Sequence, residues 1–446
     1  MKNEKQATII LGGGLTGLSA AYHGGYTVYE GEEQIGGTCI SPTVDGYTFD
    51  LGIHVLHTKN KYVLRLLQDK LGVNLKTQTR KAWIYSSGKL TRYPFQANTF
   101  GLPVPLVKSC LISFVENYCK QKNNKNSEYY NYEQWLIATF GEAIAKHFMI
   151  PYSEKFWTVH PRQITTEWLG TRIPLPSLEE VIEGALADQK KGFGPNATFR
   201  YPRKSGISAI PDEFHKSGIH VINNKKAVKI DLYNKEVFFF DGTKVNYEVL
   251  ISTIPLPELT KLTSAPKDIA MESRRLKYNS ILCVNIGINN DKLNDNHWIY
   301  YHEKKYSFFR ISFLKNFASS LTPRGKSSIT AEISYSKKKP IDKKNIGDTV
   351  VKDLIHAKVL TKKDKIDLID VRDIPYGYVI YDYKRVECLK KLKKYFESHS
   401  ILCAGRYGNW EYQWMDDAIL DGKKVAAEAK GIEKVARKQK SRHAKL

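Results

Sequence analysis

The sequence predicts an α/β fold in which a Rossmann-type dinucleotide-binding domain is combined with a helical insertion and an antiparallel β-sheet substrate domain. Three observations carry this prediction. A glycine-rich turn joins a strand to a helix near the N-terminus, a helix-rich stretch occupies residues 96–199, and many short apolar β segments follow. The order of these patterns indicates one nucleotide-binding unit that is interrupted by two insertions.

The first predicted unit, residues 7–30, has the pattern strand–turn–helix–strand. Its turn is a G-x-G-x-x-G motif, whose glycines permit a tight turn, the close approach of a pyrophosphate and close packing of helix on strand. Unpaired N–H groups at the start of the helix would hold the phosphate charge, and the acid that ends the second strand could accept hydrogen bonds from a ribose. The residues predicted to contact the dinucleotide here are Gly12, Gly14, Leu15, Thr16, Gly17 and Glu30.

Later changes of pattern predict the domain boundaries. The spacing of apolar residues at 132–149 predicts an amphipathic helix, and Asp241-Gly242 between two apolar runs predicts a hairpin turn. We expect four units: a discontinuous dinucleotide-binding domain at residues 1–95, 200–262 and 385–432, a mostly helical domain at 96–199, an antiparallel β-sheet substrate domain at 263–384, and a basic C-terminal tail at 433–446.

Composition and charge narrow the class of protein. Of the 446 residues 42% are hydrophobic, and no run approaches the roughly 18–20 apolar residues of a membrane span. The first strand starts too early for a signal peptide, so we expect a cytoplasmic protein without a transmembrane segment. The net charge of +23 comes without a nucleic-acid-binding motif. We therefore expect no nucleic-acid partner, and interpret the charge as a solvated lysine-rich surface or, in part, a basic pocket for an anionic substrate.

Neither the cysteines nor the histidines form a metal-binding pattern. The six cysteines are scattered without a C-x-x-C pair. His54 and His57 lie three residues apart, but no third ligand follows at a matching spacing. We therefore predict no metal site. The two histidines could instead belong to the core, or contact a flavin that the neighbouring glycines position.

Motifs spread along most of the chain resemble those of one enzyme family. A double-glycine segment, Gly36-Gly37, and a histidine segment at 52–58 follow the first unit, and further motifs lie at residues 152–157, 168–172, 193–202, 298–310 and 405–412. The double-glycine segment resembles that of FAD-dependent enzymes of the amine-oxidase type, and residues 376–382 resemble a segment of the wider group of protoporphyrinogen-oxidase-like flavoproteins. More specifically, the histidine segment and the later motifs resemble those of UDP-galactopyranose mutases.

The resemblance implies FAD as the cofactor and assigns roles to individual residues. Its catalytic residues would be His54, Arg310 and Arg406. Further cofactor contacts would come from Gly37, Thr38, His54, Gly405, Tyr412 and Met415. The substrate would contact Trp157, Arg172, Asn196, Tyr300, Arg310, Tyr378, Arg406 and Tyr412. Arginine offers a planar fork of donors that suits a diphosphate, whereas the aromatic residues could either contact the ligand or pack in the core.

The activity implied by the resemblance is that of an FAD-dependent nucleotide-sugar pyranose–furanose mutase, an isomerase of cell-surface polysaccharide biosynthesis that acts on a UDP- or dTDP-hexose. In this reaction the N5 atom of the reduced flavin attacks the anomeric carbon while Arg310 and Arg406 hold the diphosphate. NAD(P)H is a candidate reductant of the flavin, and a homo-oligomer is compatible with the resemblance by analogy.

Two other functions stay open at this point. An FAD-dependent oxidoreductase of the amine-oxidase or protoporphyrinogen-oxidase type would oxidise its substrate and transfer electrons to an acceptor. An oxidase for an apolar amine, however, has no use for two convergent arginines. A flavoprotein scaffold without enzymatic activity would use the basic tail to dock a partner.

Overall fold

Two seven-stranded sheets organise the chain in the computed structural model, which describes residues 6–122, 129–194, 196–291 and 293–443. The strands, in chain order, are β1 (Gln6–Leu11), β2 (Thr27–Tyr29), β3 (Thr43–Val44), β4 (Tyr47–Thr48), β5 (Leu75–Thr79), β6 (Ala82–Ser86), β7 (Lys89–Arg92), β8 (Thr198–Pro202), β9 (Val221–Ile222), β10 (Ala227–Asp231), β11 (Glu236–Phe239), β12 (Lys244–Ser252), β13 (Ser280–Ile288), β14 (Trp298–Tyr301), β15 (Arg310–Ser312), β16 (Ser327–Tyr335), β17 (Ile366–Ile374) and β18 (Ile401–Cys403).

Helices connect and cover these sheets. The α-helices are α1 (Leu15–Gly24), α2 (Lys61–Arg65), α3 (Val104–Lys122), α4 (Tyr132–Phe140), α5 (Glu142–Ile144), α6 (Ile150–Trp157), α7 (Leu178–Leu186), α8 (Ala209–Lys216), α9 (Leu256–Leu262), α10 (Lys267–Arg275), α11 (Ile346–His356), α12 (Arg385–Ser398), α13 (Gly405–Gly408) and α14 (Met415–His443). Short 3-10 turns span Phe95–Ala97, Pro161–Gln163, Gly206–Ser208, Leu314–Asn316 and Ser319–Leu321, and π-helical turns span Leu66–Lys70 and Ala145–Met149.

The first sheet has the Rossmann-type arrangement that the sequence predicts. Strands β9, β2, β1, β12 and β18 lie side by side in that order and run parallel. The hairpin of β10 and β11 extends the sheet by pairing antiparallel with the first residues of β12, and the predicted turn at Asp241-Gly242 connects β11 to β12. All three residues of β2 are buried, as is typical of a parallel sheet that is covered on both faces.

Helices α1 and α14 pack on this sheet and against each other. Gly422 allows their close approach, because a Cβ atom at this position would lie 2.3 Å from the carbonyl oxygen of Thr16. The hydroxyl of Ser19 donates a hydrogen bond of 2.6 Å to the carbonyl oxygen of Ile419. The start of α1 is therefore fixed in position by the C-terminal helix of the chain.

The second sheet is the antiparallel sheet that the sequence predicts. Its order is β17–β13–β16–β15–β14–β6–β7, and its one parallel pair among the described strands is β14 with β6. Helix α11 packs on one face through Val350 and Leu354, which share an apolar cluster with Leu282 and Ile333. Because side chains alternate along a strand, the residues next to this cluster point to the opposite face. The opposite face lines the main cavity of the protein.

Helices α3 to α7 form the helical insertion. Asn131 caps α4 by accepting a hydrogen bond from the backbone N–H of Gln134 at 2.9 Å, and Ser177 and Glu180 form a capping box at α7. The prediction of one helix over residues 132–149 is wrong in one respect. Helix α4 ends at Phe140, because Gly141 has a φ of 81° and interrupts the helical hydrogen-bond ladder.

The domain boundaries stay predictions, and two observations bear on them. The hairpin of β6 and β7, inside the predicted dinucleotide-binding segment 1–95, pairs with β14 in the second sheet. At the other end, α14 continues into the predicted tail 433–446 as far as His443, and residues 444–446 lie outside the described part. Within the described residues, no helix has the length and apolarity needed to cross a bilayer.

Candidate functional site

A cavity of about 880 Å³ lies between the two sheets. Its walls combine the turn before α1, the segment 36–57, the second sheet and the segment 405–415. The structure brings most of the predicted site residues to this cavity: Gly12, Gly14, Leu15, Thr16, Glu30, Gly37, Thr38, His54, Arg172, Asn196, Tyr300, Arg310, Tyr378, Gly405, Arg406, Tyr412 and Met415. Their contact with a ligand stays a prediction.

The glycine turn before α1 leaves open space at the start of that helix. Gly12 has a φ of 100°, and a Cβ atom there would lie 2.4 Å from the Oγ1 of Thr253. At Gly14, no atom lies within 4 Å of where a Cβ would be, so the backbone faces the cavity directly. Glu30 accepts a 2.5 Å hydrogen bond from the N–H of Gly13, and burial raises the pKa of its carboxyl group. The start of α1, whose first N–H groups have no partner within the helix, thus lines the cavity.

Two further glycine segments converge on the same helix end. Gly37 has a φ of 61°, and a Cβ atom there would lie 3.3 Å from the Cα of Gly14. Gly405 has a φ of 80°, and its Cβ atom would lie 2.7 Å from the Oγ1 of Thr16. Side chains at these positions would fill the space, so the three glycine segments form a cradle of backbone atoms around the start of α1.

Tyr300, Arg310 and Glu332 form a row across three strands of the second sheet. Tyr300 on β14 lies opposite Arg310 on β15, which in turn lies opposite Glu332 on β16. Arg310 donates from Nε to Oε2 of Glu332 at 2.5 Å and from Nη2 to Oε1 at 2.7 Å. Burial alone would lower the pKa of Arg310, but the Glu332 carboxylate beside it raises that pKa above its usual value. Arg310 is therefore charged, and Glu332 offsets its charge.

Arg406, on α13, enters the same cavity from the other side. Its guanidinium lies 4.7 Å from the ring centroid of Tyr378 and 5.3 Å from that of Tyr412. Its Nη2 donates to the carbonyl oxygen of Gly377 at 2.9 Å, and its Nε is buried without a partner. A buried donor without a partner at a cavity wall marks a place for an acceptor of a ligand. The carbonyl oxygen that accepts this hydrogen bond carries no net charge. The positive charge of Arg406 is therefore not offset, whereas that of Arg310 is offset by the Glu332 carboxylate.

His54 lies near both arginines. Gly52 brings its loop against the ion pair, since a Cβ atom at Gly52 would lie 2.8 Å from the Oε1 of Glu332. Burial, together with the charges of Arg406 and Arg310, lowers the pKa of His54 to about 4. The ring is therefore neutral near pH 7. Its Nδ1 is buried without a partner, so one ring nitrogen is available to a ligand.

Arg172 and Asn196 lie at the rim of the aromatic wall. Arg172 donates from Nη1 to the carbonyl oxygen of Trp168 at 2.8 Å and from Nη2 to that of Tyr412 at 2.6 Å, and its Nε is buried without a partner. The Oδ1 of Asn196 accepts a hydrogen bond from Arg80. This bond orients the amide of Asn196, whose NH₂ group can then serve as a donor.

Two predicted site residues do not line the cavity. Trp157 is 2% exposed, and its ring packs edge-on against Trp168 at 5.1 Å and Tyr378 at 5.9 Å. Trp157 therefore packs behind Tyr378, and its contact with the substrate stays a prediction. At Gly17, a Cβ atom would lie 2.0 Å from the carbonyl oxygen of Gly12, so the close packing of α1 on the turn requires a glycine there. Contact of Gly17 with the dinucleotide stays a prediction.

Sequence reasoning missed Glu332, another residue of the wall, and left the role of His57 open. Glu332 had a signal, because it is an acid inside a strand whose other residues are apolar or uncharged and nearly all buried. His57 packs edge-on against Trp414 at 4.3 Å, and neither of its buried ring nitrogens has a partner. Within the described ranges, no group of three or more His, Cys, Asp or Glu side chains is placed to hold a metal ion.

The fold and the cavity together define a dinucleotide-binding protein with a second sheet that lines the same cavity. The sequence matches the family described as flavin containing amine oxidoreductase over residues 15–430. The chain therefore belongs to the flavin containing amine oxidoreductase family. This membership supports a flavin as the cofactor.

Solved structures give a finer comparison. A reduced UDP-galactopyranose mutase is 27% identical to this chain, with a TM-score of 0.90 over 96% of this chain and 94% of that chain. A protein assigned as a protoporphyrinogen oxidase from Exiguobacterium sp. 255-15 is 15% identical, with a TM-score of 0.73 over 97% and 99% of the two chains. A putrescine oxidase is 15% identical, with a TM-score of 0.65 over 95% and 98%. The last two similarities establish the fold alone, whereas the first confirms the resemblance to UDP-galactopyranose mutases.

The residues of this chain fit a flavin dinucleotide. Backbone at Gly14 faces open space at the start of α1, which suits a pyrophosphate. Gly37 and Gly405 leave room beside it that any Cβ atom would fill. Glu30 lies at the end of β2, where a ribose hydroxyl would be expected.

Proposed function

We propose that the protein is an FAD-dependent nucleotide-sugar mutase that interconverts the pyranose and furanose forms of a UDP- or dTDP-hexose. The observation that carries this proposal is the placement of Arg310 and Arg406 in the cavity that also contains the glycine cradle. The similarity to a reduced UDP-galactopyranose mutase supports it. NAD(P)H as the reductant and a homo-oligomeric state are part of the same proposal.

The first task of the residues is to hold FAD. The start of α1 and the backbone at Gly14 and Gly37 would bind its pyrophosphate, and Glu30 would bind a ribose. His54, Tyr412 and Met415 line the part of the cavity that extends towards the second sheet. The chemistry that bound, reduced FAD supplies is a nucleophilic nitrogen for an anomeric carbon.

The second task is to hold the diphosphate before and after the bond to the sugar breaks. Negative charge grows on the diphosphate as the glycosidic C–O bond breaks, and fixed guanidinium groups stabilise it without reorganisation. Arg406 supplies the uncompensated charge and an unpartnered Nε. Arg310 supplies a guanidinium whose orientation is fixed by Glu332. Retaining the diphosphate between them would allow it to return to the sugar instead of being lost to water.

The remaining wall residues orient the sugar and exclude water. The hydroxyls of Tyr300 and Tyr378 can bind phosphate or sugar oxygens, while their rings close the cavity. His54 is neutral near pH 7 and so offers one N–H donor and one acceptor nitrogen. A neutral ring at this place adds no further positive charge beside the two arginines.

An FAD-dependent oxidoreductase is the second candidate function, because the family of this chain is named for amine oxidation. Such an enzyme would need an apolar or amine-binding cavity. Two arginines at the wall disfavour a cationic amine, since like charges repel in a poorly solvated cavity. The two functions differ in whether turnover changes the redox state of the flavin.

One experiment separates them. The purified holoprotein is reduced with dithionite without air, mixed with UDP-galactopyranose or UDP-galactofuranose, and sampled for interconversion by chromatography. The mutase function predicts turnover with the reduced protein, none with the oxidised protein, and no net reoxidation of the flavin. Reduction of the oxidised flavin by putrescine or protoporphyrinogen, without sugar interconversion, would instead establish the oxidoreductase.

A further inference from the structure

Asp421, on α14, collects three hydrogen bonds from the segment 405–413. Its Oδ2 accepts from the backbone N–H of Gly405 at 2.6 Å, from the side-chain amide of Asn409 at 2.7 Å and from that of Gln413 at 3.2 Å. One carboxylate oxygen thus holds the first residue, the middle and the end of the segment. Bonds of this kind to an ionised acceptor are stronger than those between neutral groups.

The residue next to Asp421 binds α14 to the start of α1. Gly422 lies so close to α1 that its Cβ atom would be 2.3 Å from the carbonyl oxygen of Thr16. The segment 405–413 reaches the same residue from the other side, since a Cβ atom at Gly405 would lie 2.7 Å from the Oγ1 of Thr16. Positions 421 and 422 therefore fix the segment 405–413 and the N-terminal end of α1 relative to each other.

The segment carries Arg406 and Tyr412, both of which line the main cavity. Asp421 itself is not among the residues lining that cavity. It lines a different cavity, of about 250 Å³, between α12 and α14. Its effect on a ligand of the main cavity can therefore be exerted only through the segment that it holds.

We infer that Asp421 is a positioning residue, which holds Arg406 at a fixed distance from the cofactor-binding end of α1. This inference rests on the proposed function, because it assigns Arg406 to the diphosphate of the substrate. Without the carboxylate, three donors of the segment 405–413 lose their common acceptor. The segment then has no fixed anchor on α14, and Arg406 loses its alignment with the diphosphate although no atom of Arg406 itself is removed.

The test compares Asp421→Ala, Asp421→Asn and the control Glu428→Ala, all as flavin-loaded full-length protein. Glu428 lies two turns further along α14 and is exposed. Three measurements are made: flavin content by absorbance, the affinity for UDP by isothermal titration calorimetry, and hydrogen exchange of the segment 405–413 by mass spectrometry.

We expect Asp421→Ala to retain its flavin, to bind UDP at least tenfold more weakly than wild type, and to exchange the 405–413 amides at least tenfold faster. Asp421→Asn keeps one acceptor oxygen and should lie between Asp421→Ala and wild type in both measurements. Glu428→Ala should match wild type. This split between retained flavin and lost UDP affinity separates positioning from a general loss of stability.

Other outcomes overturn the inference. If Asp421→Ala binds UDP with an affinity within twofold of that of wild type, the inference is wrong. If Asp421→Ala does not fold, Asp421→Asn decides the question. The inference is wrong if this variant has the same affinity for UDP, and the same hydrogen exchange of the segment 405–413, as wild type. If wild-type protein itself does not bind UDP, the proposed function fails. Hydrogen exchange alone then tests whether Asp421 holds the segment 405–413 in position. If the exchange of this segment in Asp421→Ala is the same as in wild type, Asp421 does not hold it.

Discussion

Arg310 and Glu332 lie directly opposite each other on neighbouring strands, and the carboxylate holds the guanidinium through two hydrogen bonds of 2.5 and 2.7 Å. Arg406, in the same cavity, donates to the carbonyl oxygen of Gly377 instead. The two arginines therefore present unequal charge to the cavity. Arg310 gives a fixed orientation, and Arg406 gives most of the net positive charge.

Arg310→Ala should weaken UDP binding by more than about 100-fold, since it removes a charge-assisted donor and leaves a carboxylate unpaired beside the diphosphate. Adding Glu332→Gln to this variant should recover roughly tenfold, or about 1.4 kcal/mol, because the repelling charge is then removed. Calorimetric titration of both variants with UDP measures the difference. Equal affinities of the single and the double variant would show that Glu332 exerts no charge effect on the ligand.

Arg406→Ala should weaken UDP binding by roughly 30-fold, the loss of about 2 kcal/mol that one hydrogen bond to a charged group contributes. Arg406→Lys should recover less than half of this free energy, because an ammonium cannot present a planar fork. Arg324→Ala removes an exposed arginine and serves as the matched control. The same titration applies to all three, and full recovery in Arg406→Lys would rule out a requirement for the fork.

Gly405→Ala should lose most of its flavin during purification. The substitution places a Cβ atom 2.7 Å from the Oγ1 of Thr16, at a residue whose φ is 80°. Gly325 has a φ of 76° but no atom within 4 Å of its Cβ position, so Gly325→Ala carries the backbone strain alone, about 1 kcal/mol, and should keep its flavin. The ratio of flavin to protein absorbance distinguishes them. Equal flavin content in the two variants would exclude a close cofactor cradle at Gly405.

The stability of the protein should fall as the pH drops from about 6.5 to about 4. Burial, followed by the charge of Lys81, lowers the pKa of His297 to about 4, while its Nδ1 accepts a hydrogen bond from the N–H of Lys81 at 3.0 Å. Burial likewise lowers the pKa of His54 and of His302 to about 4. In this pH window the unfolded chain binds protons that the folded chain does not, so acid favours unfolding.

His297→Asn tests this pH dependence away from the cavity, because the amide oxygen can replace Nδ1 as an acceptor. The free energy of unfolding, from urea titrations between pH 4.5 and 7.5, should decrease less steeply with acid than in wild type, because one of the histidines with a lowered pKa is removed. Burial raises the pKa of Asp50 to about 6, an opposing contribution that is the same in both proteins. Identical slopes would mean that His297 has the same pKa in the folded and the unfolded protein.

The nucleotide-binding part of the fold could be predicted because its signals are local. The turn glycines, the helix after them and Glu30 lie within one short stretch, and each is required by backbone geometry at that place. The placement of Arg310 and Arg406 in one cavity came from the resemblance instead. They are far apart in the chain, and no spacing rule brings them together.

The features that could not be predicted from the sequence depend on which distant segments of the chain pair or pack together. The partner of Arg310 is set by the register of β15 on β16, which the sequence does not specify by itself. The hairpin of β6 and β7 joined the second sheet for the same reason. Trp157 is a predicted substrate contact, and only tertiary packing shows that it lies against Tyr378 and does not line the cavity.

Tyr300, Arg310 and Glu332 line the cavity only if each of their strands keeps its length. An insertion of an odd number of residues within a strand would reverse the direction of the side chains that follow it. Adjacent residues of a strand face opposite sides, so inserting one residue before Glu332 within β16 would turn its side chain into the apolar cluster beneath α11. Inserting two residues would restore the facing direction and merely shift the side chain along the strand. Relatives that keep this chemistry should therefore differ in length in the loops between these strands, and hardly ever by a single residue inside them.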